Sequence, residues 1–147
     1  MTEPILPRLY DGQIRPDAFD HSAHLQAGWE CIQKENPEEP RHLASSLYAL
    51  ADSAGAPERY HATITGAFLT LIAASVKPGE SFADFLAKNP DLSRRDCLGQ
   101  YYSRSRLTLP EARRRFLMPD RQPLPACRMS LSSVEVPAAA ASDHLTN

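Results

Sequence analysis

Between Pro57 and the pair Pro78-Gly79 lies the most apolar segment of this chain, and its large side chains Phe68, Leu69 and Ile72 recur at helical intervals. Proline suits the first turn of a helix and Pro-Gly suits the residues beyond its end. The pattern therefore predicts a helix from Pro57 through His61 to about Val76. A helix this apolar has to be shielded from water on most sides, so it is expected at the centre of the fold, with the rest of the chain packed around it.

The punctuation on either side predicts an all-α protein, a compact bundle of three main helices followed by three shorter ones. A first main helix should start at Asp17 or Asp20, whose carboxylates can accept from free first-turn amides, and end near Lys34 before Asn36-Pro37. A second should start within Pro37 to Pro40 and carry Leu43, Leu47 and Leu50 on one face as far as Gly55. Three short helices should open at Ser81, Ser93 and Thr108, each followed three residues later by an acid (Asp84, Asp96, Glu111), a pattern that resembles a capping box. No run alternates as a strand would. Residues 1–16 hold three prolines and Asp11-Gly12, so they read as an extended N-terminal arm; 17–121 read as the helical domain. After Asp120 the chain turns to proline, alanine and serine, and 122–147 read as a disordered C-terminal tail.

Composition narrows the function classes. With 147 residues, 42% hydrophobic, and a formal net charge of −2, the chain can bury a core and has no global field that recruits nucleic acid. No window approaches a membrane span, and no basic-then-apolar leader follows Met1, so a cytoplasmic location is the default expectation. Cys31, Cys97 and Cys127 are scattered, with no CxxC pair, and read as small buried thiols.

The candidate chemistry lies in histidines. His21 and His24, three residues apart, share one face of the first predicted helix, and His61 stands at the start of the third. The positive end of a helix disfavours imidazolium, and neutral imidazole is the form that binds a metal or acts as a base. Nitrogen-rich ligation would suit a transition metal such as zinc, iron, nickel or copper. Thr65 follows His61 by four residues, with Tyr60 and Thr63 beside it, so polar groups are dense at the entrance of the most apolar helix. Such groups, once buried, need hydrogen-bond partners.

These residues resemble a family of small, largely uncharacterised bacterial proteins with three landmarks. Phe19, His21, His24 and Trp29 match the first; Tyr60, His61, Thr63, Ile64 and Thr65 match the second, a Tyr-His-x-Thr-Ile-Thr run. The third is met by Phe85, Asn89-Pro90, Tyr101-Tyr102-Ser103, Leu107, Ala112-Arg113, Phe116 and Pro119-Asp120. The resemblance spans about Asp17 to Pro125 and implies a site at these positions without implying an activity. This chain has Ala62 and Gly66 where the family carries an acid and an aromatic residue.

Two readings follow. In one, His21, His24 and His61 are metal ligands, or one is a general base, in a pocket also lined by Tyr60, Thr63, Thr65, Tyr101, Tyr102 and Arg113, with a small molecule as ligand or substrate. In the other the chain is a non-catalytic accessory or binding protein for a small-molecule ligand or a protein partner, and its histidines form a structural hydrogen-bond network. Arginines from Arg94 to Arg128 outnumber the acids Asp96, Glu111 and Asp120, but no recognition motif accompanies them. A solvated basic face is the expectation there, and neither nucleic acid nor membrane is expected as a partner.

Overall fold

The computed structural model describes residues 3–126 and 131–136. Among them are seven α-helices and no strand: α1 (Leu6–Tyr10), α2 (His21–Gln33), α3 (Glu39–Ser53), α4 (Ala62–Ser75), α5 (Phe82–Lys88), α6 (Arg104–Leu107) and α7 (Pro110–Arg114). Short 3-10 turns at Pro16–Ala18, Pro57–Arg59, Pro90–Ser93, Arg95–Gln100 and Leu131–Val134 join or follow them. No helix among the described residues is long and apolar enough to cross a membrane.

Helices α2, α3 and α5 start where local chemistry caps a free amide or removes the need for one. Asp20 caps α2, its carboxylate accepting from the Ala23 amide at 2.9 Å. Pro40 occupies the first turn of α3, where no amide hydrogen is needed. Ser81 and Asp84 complete both arms of a capping box at α5. The other two expected boxes are not formed. Ser93 precedes a 3-10 turn that has no side-chain cap, and Thr108 donates back to the Ser105 carbonyl while α7 starts two residues later, at Pro110. Ser103, braced by Asp120, caps α6 instead.

Helix α4 lies at the centre, packed on α2 along one side and on α7 and the Leu131–Val134 turn on others, while α3 covers α2. Two apolar clusters result. The first gathers Leu6, Leu9, Phe19, Leu43, Leu47 and Val134; the second gathers Leu25, Ile72, Phe82, Phe85, Leu98 and Tyr102. Each fully buried aliphatic or aromatic side chain among them stabilises the fold by roughly 1.5–3 kcal/mol. Two glycines permit the close approaches on which this packing depends. A Cβ at Gly28 would lie 2.9 Å from Ile72 Cδ1 across the α2–α4 contact, and one at Gly66 would lie 2.6 Å from Phe116 Cδ1. The absence of an aromatic residue after Thr65 thus lets Phe116 seat on α4.

Three expectations are corrected. The arm over residues 1–16 contains α1, with Leu6 and Leu9 buried. Pro7 sits in its first turn and does no harm there, and Glu30 of α2 takes the amides of Ile5 and Leu6 at 2.9–3.0 Å, a cap supplied from a distant element. The central helix begins at Ala62 and not at Pro57: the proline opens a separate 3-10 turn, and Tyr60 and His61 are extended. Within the expected tail, Leu124 packs on the second cluster and residues 131–136 dock on α3 and α4. Val134 is fully buried, its carbonyl accepts from the Tyr60 hydroxyl, and the Val136 amide donates to the Arg114 carbonyl at 2.9 Å. One well-placed valine and two backbone captures order a segment whose composition alone gives no core. The rest of that tail, with Cys127 and His144, lies outside the described residues.

Candidate functional site

The extended residues Tyr60 and His61 lead into α4, and the polar side chains that follow turn back onto backbone. His61 is the N-cap of α4: its Nδ1 accepts from the Ile64 amide at 3.1 Å, and its Nε2–H donates to the Leu107 carbonyl at 2.8 Å. Those two bonds select the neutral tautomer protonated on Nε2. Burial holds its pKa below the ordinary value, and the nearby Arg113 guanidinium pushes the same way, against the Leu107 hydrogen bond. Thr63 accepts from the Leu117 amide at 3.1 Å and donates to the Ala112 carbonyl at 2.8 Å or the Arg115 carbonyl at 2.9 Å. Thr65 donates to the His61 carbonyl, and Tyr60 to that of Val134. The dense polar run is therefore a clasp that fastens the C-terminal third onto α4, with each group satisfied as burial demands.

The remaining expected pocket residues serve the same clasp or the core. Arg113 Nη1 donates to the Glu58 carbonyl at 2.7 Å, tying α7 to the turn before His61. Tyr102 is fully buried and donates to the Leu117 carbonyl at 2.7 Å, and Tyr101 packs against the second cluster. Cys31 and Cys97 are buried thiols, pushed up by desolvation to about 12 and about 11, so little thiolate exists at neutral pH.

A separate cleft of about 420 Å³ opens between α2, α3 and α4. Its inner wall is formed by Leu25, Leu43, Leu69 and Ile72, with Leu47, Ile64 and Phe68 nearer the opening. Asp20, His24 and Arg59 stand exposed at the mouth, beside half-buried His21 and Thr65. A smaller hollow of about 260 Å³ adjoins it, sharing Asp20, His21 and Leu25. His21 Nε2–H donates to the Leu92 carbonyl at 3.0 Å, with its ring edge-on to Phe68; His24 Nδ1–H donates to the Asp20 carbonyl at 3.0 Å, edge-on to Phe19. Of the residues expected around one pocket, the structure brings His21, His24 and Thr65 to this cleft. It places His61, Tyr60, Thr63, Tyr101, Tyr102 and Arg113 away from it.

The three imidazoles do not fit a shared metal ion. Both nitrogens of His61 are engaged by backbone, and His21 and His24 each direct one nitrogen to a carbonyl. Among the described residues no group of three or more His, Cys, Asp or Glu side chains is placed to hold a metal.

Sequence patterning had marked Leu43 and Leu47 as an apolar face, without indicating that this face walls a cleft. Arg59 carried no local signal at all, because its place at the mouth follows from the packing of its 3-10 turn on α3. No family model, curated protein or solved structure matches the chain, so the resemblance rests on its landmark residues alone.

Proposed function

We propose that this is a non-catalytic small-molecule-binding protein whose site is the α2–α3–α4 cleft, and that the Tyr60–Thr65 run is structural. The observation that carries this is the cleft itself. Its volume falls within the roughly 300–1,000 Å³ of ligand sites, its inner wall is apolar, and its few polar groups stand at the mouth, which is the usual composition of a binding pocket. Two features favour binding over turnover. The Thr65 hydroxyl, the alcohol among the cleft walls, is already given to the His61 carbonyl, and no cysteine or serine lines the cleft among the described residues. The His61 pair of hydrogen bonds supports the structural role of the second landmark, since an imidazole saturated on both nitrogens has none left for chemistry.

The test is methyl-labelled NMR with a panel of small amphipathic compounds. Binders should shift the methyl resonances of Leu25, Leu47, Ile64 and Ile72 and leave those of Leu6 and Val134 in place. If nothing in the panel shifts these methyls, or if the shifts map around His61 and Leu107, the assignment of the cleft fails.

A further inference from the structure

Resting on that assignment of the cleft, we infer that its ligand is a slim aliphatic monocarboxylate, with its chain against the inner wall and its carboxylate on Arg59. The cleft is graded from inside to outside. Leu25, Leu43, Leu69 and Ile72 are at most 2% exposed, whereas Arg59, His24 and Asp20 are in contact with solvent. A ligand that matches this grading is apolar at one end and strongly hydrated at the other, because burying a charged head against leucines would cost far more than it returns.

The sign of the head follows from which mouth groups are already committed. Asp20 gives its carboxylate to the Ala23 amide, and both imidazoles point an N–H at a carbonyl. The Arg59 guanidinium has neither an ion pair nor a side-chain hydrogen bond among the described residues, and its planar fork of donors matches a carboxylate. The mouth also lies at the start of α2, a thirteen-residue helix whose positive end offsets the charge of the capping Asp20 carboxylate and leaves Arg59 to set the sign there.

The inner end sets the shape of the chain. At Gly28 the backbone of α2 comes so close to α4 that even a methyl group would press on Ile72 Cδ1 at 2.9 Å and Leu69 Cδ2 at 3.4 Å. The cleft closes down where α2 and α4 touch at this glycine, and the thin end of an aliphatic chain suits that corner.

The experiment compares three compounds with one tail and different heads, octanoate, octanamide and octylammonium, by calorimetry at pH 7.5. Octanoate is expected to bind about tenfold more tightly than octanamide, and octylammonium more weakly than either. In Arg59→Gln, octanoate should fall to the level of octanamide while octanamide stays unchanged; Arg59 is exposed and has no side-chain partner among the described residues, so the fold should tolerate the change. Raising ionic strength should weaken octanoate alone. Equal binding of octanoate and octanamide, or octanoate binding indifferent to Arg59→Gln, would overturn the head assignment and leave the cleft standing. Failure of all three compounds to bind would overturn the cleft as a site as well.

Discussion

The entrance of α4 and the mouth of the cleft hold similar residue types and opposite amounts of unused chemistry. At the entrance, His61, Thr63, Thr65 and Tyr60 together engage backbone groups of residues from His61 to Val134, with both imidazole nitrogens and every hydroxyl proton in use. At the mouth, His21 uses one nitrogen on a carbonyl, and among the described residues Arg59 uses none of its donors on a side-chain contact. A concentration of polar side chains in a sequence therefore marks where hydrogen bonds are needed. Whether those bonds serve folding or a ligand depends on which acceptors the rest of the chain delivers to them.

The largest effect that can break this contrast is on stability. His61→Ala removes the α4 cap, about 1 kcal/mol, and orphans the part-buried Leu107 carbonyl, about 1–3 kcal/mol more. Chemical denaturation should show a loss of about 2–4 kcal/mol, with binding in the cleft kept by the folded fraction; loss of binding without loss of stability would place His61 back among the site residues. Thr63→Val should cost about 1–3 kcal/mol, since it strands the Leu117 amide and the carbonyl, of Ala112 or Arg115, that holds the hydroxyl proton, while keeping the side chain's shape.

A smaller effect concerns pH. Because His61 is held neutral, with a folded-state pKa below its ordinary 6.5, the unfolded chain binds a proton there before the folded one does. Its contribution to stability is complete above about pH 6.5 and is lost as the pH falls through the folded-state pKa. The gap in urea midpoint between the native protein and His61→Ala should therefore narrow from pH 7.5 to 5.5. A gap that stays constant or widens would contradict the neutral, doubly bonded ring. Smallest of all, Arg59→Gln should change stability by less than about 0.5 kcal/mol, as expected for an exposed side chain with no partner among the described residues, so that its whole effect appears in ligand binding.

Where hydrogen bonds and periodicity act within a few residues, the amino-acid order was enough. The apolar period and its proline and glycine stops specify an all-helical chain with α2, α3 and α4 as its main helices, and Asp20 and Ser81 announce the helices they cap. The histidine pair on the first turn of α2 was legible in the same way, as was the burial of Leu43 and Leu47. Contacts across long stretches of chain were not. Glu30 turns an expected extended arm into α1, and Val134 docks a segment of the expected tail. Leu107, forty-six residues from His61, takes the imidazole that local spacing offered to a metal. Only the tertiary structure decides such pairings, because a side chain's pKa, tautomer and availability depend on the dielectric and the acceptors around it, and those are supplied by residues that local sequence does not bring together.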